Sequence, residues 1–186
     1  MGADKAFLEF EGQTLLARML GLAQSITRNI WIVGSAAKFA AYAPMVEDIF
    51  RECGPLGGIH AALRSSQAEL NLMIAVDMPF LSEALLHYLV ARARNSSAMA
   101  TVSRVDGRWQ PLCAVYRREF ADVAEDALRS GRYKIGALFN TENVHAVEET
   151  DLAEAGFFAS AFRNLNTRED LAEAGAATRT PEAENR

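Results

Sequence analysis

The sequence predicts an α/β fold with a mostly parallel sheet, and three observations carry that expectation. Strand-like apolar runs alternate with stretches whose apolar residues recur at helical spacing. The central run, Leu72-Met73-Ile74-Ala75-Val76, ends in Asp77 and is stopped by Pro79; it reads as a buried parallel strand delivering a carboxylate at its C-terminal end. Gly54-Pro55-Leu56-Gly57-Gly58 places a tight turn ahead of a helix whose N-terminal amides would point back at it. Open α/β sheets bind ligands in the crevice outside the carboxyl ends of their strands, so Asp77 is a candidate for holding a metal or a phosphate-bearing substrate. The competing reading makes Asp77 or Ser82 a plain N-cap of the helix from Glu83 to Ala93.

Taken in order, Phe7-Leu8-Glu9-Phe10 leads through Glu11-Gly12 into a helix over residues 13–23. Gln13 or Thr14 begins it, and Leu15, Leu16, Met19, Leu20 and Leu22 form the face turned to a sheet. Residues 29–34 make the first convincing strand, 35–42 a short helix ended by Pro44, and 45–53 an extended stretch carrying Asp48 toward a loop. The helix over 57–66 has His60 on its first turn, in a structural or solvent-facing place rather than a catalytic one. After the helix over 82–94, residues 98–102 are strand-like, and Asp106-Gly107 signals a hairpin with 109–116 as the returning strand. An amphipathic helix over 118–131 closes on Gly131, and a second short helix covers 133–139. Arg132 and Lys134 beside it are either anion contacts or a solvated face. Residues 144–147 form a strand, 157–162 are apolar and extended, and Thr167 with Asp170 makes a capping-box-like helix start.

A length of 186 residues, half of them hydrophobic, fits one domain over 1–172, followed by a small, polar tail over 173–186 expected to be disordered. The 19 basic and 24 acidic residues give a net charge of −5 without a dense basic patch, which argues against nucleic-acid binding through the phosphate backbone. Cys53 and Cys113 form no CxxC pair, so zinc and redox readings are weak, and a reducing cytoplasm is the expected compartment. No apolar run reaches membrane-spanning length, and the N-terminus lacks the regions of a signal peptide.

Five groups of residues, in order and spacing, carry a resemblance. They are Met1-Gly2-x-Asp4-Lys5-Ala6; Gly54-Pro55-Leu56-Gly57-Gly58-Ile59; Asp77-Met78-Pro79-Phe80; Pro111-Leu112 with Val115-Tyr116; and Asn164-Leu165-Asn166-Thr167 with Glu169-Asp170-Leu171. Each is weak alone, but in register over residues 1–171 the chain resembles the molybdenum cofactor guanylyltransferase family, also called molybdopterin-guanine dinucleotide biosynthesis protein A. The resemblance implies a three-layer Rossmann-like nucleotidyltransferase fold. It also implies transfer of GMP from GTP to a molybdopterin-type cofactor, with release of pyrophosphate and a requirement for Mg2+. GTP and the molybdopterin cofactor are then the partners, with cofactor-delivering proteins or molybdoenzymes as further ones.

The same resemblance distributes roles. Lys5 meets the triphosphate as a compact charge and Asp77 holds Mg2+, the two forming the catalytic pair. Asp48 stands near the guanosine, and Gly54, Pro55, Leu56, Gly57 and Gly58 pack against the nucleoside. Asn164 and Asn166, with Arg132 and Lys134, are weaker candidates for contacting the second substrate. Two departures stand out. Family members open with a hydrophobic strand and a loop of the type Leu-Ala-Gly-Gly-x-Ser-x-Arg-Met-Gly, and this sequence begins at its final Met1-Gly2. The first strand and most of the triphosphate loop are therefore expected to be missing, through a start set too far downstream or in a truncated relative. Arg168 replaces a usual proline. Rival readings are a cytidylyltransferase for the same cofactor, a sugar-phosphate nucleotidyltransferase, and a non-catalytic module that docks a cofactor or partner.

Overall fold

A computed structural model describes residues 4–165 together with Thr167, Asp170 and Glu173. Met1, Gly2, Asn166, Arg168 and all of the expected tail except Glu173 lie outside the described residues. A 3₁₀ turn, Lys5–Phe7, leads into the hairpin of β1 (Glu9–Phe10) and β2 (Gln13–Thr14). Both residues of its two-residue turn have positive φ, Glu11 at 50° and Gly12 at 82°, the turn type whose twist matches paired strands. Helix α1 (Leu15–Ile26) follows, with the Thr14 hydroxyl accepting the Ala17 N–H at 3.2 Å as its cap. Strands β3 (Ile32–Val33) and β4 (Met45–Val46) pair in parallel around the short helix α2 (Ala36–Phe39).

Next come α3 (Pro55–Ser65), β5 (Leu70–Ile74), α4 (Glu83–Arg94), β6 (Ala100–Val105), β7 (Arg108–Arg117), α5 (Phe120–Arg129), β8 (Val144–Glu148) and α6 (Glu149–Glu154). Ser82, not Asp77, caps α4: its hydroxyl accepts the Leu85 N–H at 3.2 Å. Asp77 is thereby free of the capping role the sequence allowed. Ser82→Ala is expected to lower stability by about 1 kcal/mol, read as a shifted urea midpoint at constant slope.

The main sheet runs β5-β7-β6-β8, with β5/β7 and β7/β6 antiparallel and β6/β8 parallel. The expected mostly parallel sheet is thus a mixed one. Asp106 and Gly107, at φ 50° and 69°, close β6 and β7 into a tight hairpin, and β7 then inserts against the direction of both neighbours. Pro111 sits in β7 opposite the register shift between Val102 and Arg104, where a missing N–H is tolerated. The strand read as buried and parallel, β5, is half-buried along its length and is an edge strand among the described residues. Its apolar run reflects helices on both faces rather than parallel neighbours: Met73 packs on the α3/α5 side, and Leu70, Leu72 and Ile74 on the α1/α4 side.

Those two clusters form the outer layers of the fold. Leu56, Ile59 and Leu63 of α3 meet Phe120, Ala124 and Leu128 of α5 on one face, while Met19, Leu85, Leu86, Leu89 and Leu152 cover the other. The segment 157–162, read as extended, instead closes as a 3₁₀ turn, Ala159–Phe162, that buries Phe162. The Thr167 capping box is present, with the Thr167 N–H donating to Asp170 and the Asp170 N–H to the Thr167 hydroxyl, both at 3.0 Å.

Candidate active site

The C-terminal end of β5 brings together Lys5 and Asp77, two of the predicted residues. Asp77 follows the strand with its side chain 19% exposed, and its backbone carbonyl accepts the Leu165 N–H at 2.8 Å. Lys5, on the 3₁₀ turn begun by Asp4, brings Nζ to 3.9 Å from Asp77 Oδ2. That turn is anchored by Asp4, which accepts the Ala6 N–H at 3.2 Å and pairs with Lys38 Nζ at 2.8 Å; Lys38 holds the Asp4 carboxyl below its ordinary range. Seventy-two positions therefore separate two groups of opposite charge that fold to one point.

The glycine turn supplies the second part. Gly54 precedes α3 at φ 64°, a conformation in which a side chain is strained, and Pro55 starts the helix in the first-turn position where its missing N–H costs nothing. The helix lies unusually close to the preceding segment. A Cβ on Gly57 would stand 2.8 Å from the Phe50 carbonyl oxygen; one on Gly58 would stand 3.2 Å from Val33 Cγ1 and 3.6 Å from Asp48 Oδ1. Asp48 is thus at the turn, and its Oδ1 is buried without a hydrogen-bond partner. Burial pushes its carboxyl above the ordinary value. An acceptor held dry and unsatisfied in this way gains most from a ligand that donates to it.

Other expected residues fall differently. Leu56 is fully buried in the α3/α5 core, so only its backbone faces the turn, and Gly57 is buried while Gly54 and Pro55 are exposed. Asn164 is exposed next to Leu165, the residue that donates to Asp77; Asn166 lies outside the described residues. Arg132 and Lys134 are exposed between α5 and the 3₁₀ turn Ile135–Leu138, which packs into the α5 and β7 core. His60 is structural and not solvent-facing: it is 1% exposed, with Nε2 3.3 Å from Glu125 Oε2 and the Phe50 ring edge-on at 5.2 Å. Arg129, then Arg64 and His60, hold the Glu125 carboxyl down at about 2, which clasps α3 to α5. Burial pushes the Cys113 thiol up to about 12, too high for a nucleophile at neutral pH.

One contact to the loop after Asp77 was not legible in the sequence. Arg18 on α1 donates from Nε to the Pro79 carbonyl at 2.7 Å, two residues past Asp77, and pairs through Nη1 with Glu11 Oε2 at 2.9 Å. Its only sequence signal is the Glu11-Gly12 turn that precedes it.

The donor set also bears on the implied Mg2+. Among the described residues no group of three or more His, Cys, Asp and Glu side chains could cage a metal. A single accessible carboxylate beside a lysine is instead the donor set of a Mg2+ that keeps waters and takes its remaining ligands from substrate phosphates, so Asp77 fits the ion.

Comparison with known proteins places the chain in a family. Residues 1–147 match the MobA-like NTP transferase domain. The chain is 32% identical over 178 residues to the molybdenum cofactor guanylyltransferase of Desulfosudis oleivorans, covering 95% of this chain and 88% of that one. Its structure is similar to molybdopterin-guanine dinucleotide biosynthesis protein A from Archaeoglobus fulgidus, with a TM-score of 0.81 at 27% identity over 95% and 91% of the two chains. It shares the fold of 2-C-methyl-D-erythritol 4-phosphate cytidylyltransferase from Thermus thermophilus, at a TM-score of 0.67 and 20% identity over 95% and 94%. With the matched domain spanning both Lys5 and Asp77, the chain belongs to the MobA-like NTP transferase family.

Proposed function

We propose that the protein transfers GMP from GTP to a molybdopterin-type molybdenum cofactor, giving the guanine dinucleotide cofactor and pyrophosphate. The observation that carries the proposal is the meeting of Lys5 and Asp77 at 3.9 Å, just past the carboxyl end of β5. In the reaction an oxygen of the cofactor's phosphate attacks the α-phosphorus of GTP, the bond to the β-phosphate oxygen breaks, and pyrophosphate leaves with its electrons. Little covalent work falls to the protein, so its task is positioning and charge neutralisation.

Lys5 supplies a compact positive charge to the triphosphate. Asp77 would hold Mg2+, which when bound neutralises phosphate charge and templates the two substrates. Asp48, with its unsatisfied Oδ1, accepts a hydrogen bond from the guanosine, and the Gly54 and Pro55 backbone approaches the nucleoside closely. Asn164, Arg132 and Lys134 remain the polar and cationic groups offered to the second substrate.

Pyrophosphate release is the test, with each of GTP, ATP, CTP and UTP in the presence of Mg2+ and molybdopterin cofactor. GTP is expected to exceed the others by about tenfold or more, since a donor pattern that leaves a buried acceptor unpaired is strongly rejected. Preference for CTP, ATP or UTP over GTP would overturn the assignment.

A further inference from the structure

We propose that Arg18 is a positioning residue for Asp77, and that Glu11 is held in a strained backbone conformation in order to aim Arg18. The proposal rests on the reading of Asp77 as the metal ligand. Among the described residues no group of three or more possible metal ligands encloses Asp77, so its aim depends on how the loop that carries it is held.

Carbonyls on both sides of that carboxylate's loop are tied to remote parts of the chain. The Asp77 carbonyl accepts the Leu165 N–H at 2.8 Å, and the Pro79 carbonyl accepts Arg18 Nε at 2.7 Å. Beneath them the loop is wedged in place. Phe80 meets Phe10 edge-on at 5.6 Å, Phe10 packs with the fully buried Leu15 and Leu165, and the Arg18 guanidinium lies 5.3 Å from the centre of the Phe10 ring. The planar guanidinium thus uses one N–H on the loop, one on Glu11 and its face on Phe10, a division of contacts that an ammonium cannot reproduce.

Glu11 adds an independent observation. A two-residue hairpin turn with both φ positive favours Asn or Asp at the first place, yet Glu11 occupies it at φ 50° with its carboxylate on Arg18. Backbone strain of this kind persists where surrounding structure enforces it, characteristically near functional groups. Here it puts a long carboxylate where a short one would not reach Arg18.

The test uses the full chain and Mn2+ as the probe, with Mn2+ binding to the protein–GTP complex followed by electron paramagnetic resonance. Arg18→Gln is expected to weaken Mn2+ by about tenfold or more while leaving the KM for GTP at saturating metal within about twofold, the pattern of a lost outer partner. Arg18→Lys should recover part of that affinity. Glu11→Gln, which keeps the turn and alters only the aim, should show a smaller loss in the same direction and keeps the test valid should Arg18→Gln fold poorly. Wild-type Mn2+ affinity in Arg18→Gln and Glu11→Gln, whatever their melting temperatures, overturns the proposal. Asp77→Asn is the control that separates the two levels. If it binds Mn2+ weakly while the Arg18 and Glu11 variants bind normally, only the positioning role falls. If Asp77→Asn itself binds Mn2+ like the wild type, the metal reading falls first.

Discussion

Asp77→Asn is expected to lower nucleotidyl transfer by about two to three orders of magnitude, the usual cost of removing one preorganised electrostatic group from a charge-stabilising site. The fold should survive the change. Asp77 caps no helix, its backbone carbonyl keeps the Leu165 N–H, and the amide has the size of the carboxylate it replaces. Pyrophosphate release at saturating GTP and Mg2+, measured beside a thermal melt, checks both halves. Undiminished turnover would remove Asp77 from the reaction, whereas a collapsed melt would show that its role is structural.

Gly57→Ala is expected to destabilise the protein by about 1 to 3 kcal/mol, the range for forcing atoms into a packed site, and to weaken GTP binding by about tenfold. The new methyl would stand 2.8 Å from the Phe50 carbonyl oxygen, a backbone atom with no side-chain freedom to yield. Either α3 withdraws from the segment before it or that segment moves, and Asp48 lies two residues before Phe50. Gly21→Ala gives the contrast. On α1 a Cβ there meets nothing within 4 Å, so alanine should stabilise by about 0.5 to 1 kcal/mol through helix propensity alone, with no effect on GTP. Denaturant midpoints and nucleotide titrations of the two variants separate contact from propensity.

How much of this was legible in the sequence varies with the reach of the forces involved. Local signals did well. Thr14 and Ser82 as caps, the Asp106-Gly107 hairpin, Gly131 after α5 and the reciprocal Thr167–Asp170 pair all depend on neighbours within a few residues. The Glu11-Gly12 hairpin is not legible because glutamate seldom adopts positive φ, and its ion pair with Arg18 seven residues on leaves no local turn signal. Strand direction was misjudged for a similar reason: the Leu72–Val76 run reports that both faces of β5 are covered, and side-chain pattern is blind to whether β7 runs with it or against it. Spacing alone could not bring Lys5 to Asp77; only the resemblance to known transferases linked them.

The strained turn at Glu11 also bears on how the protein can be improved. Replacing Glu11 by asparagine is the obvious step for anyone seeking a hardier variant, since Asn-Gly is the pair this turn prefers. It would relax the hairpin, and on the proposed role of Arg18 it would also slacken the loop that carries Asp77. Thermal robustness and catalytic order then compete at one surface residue, well outside the binding turn, and selection for heat resistance alone would erode the chemistry from there.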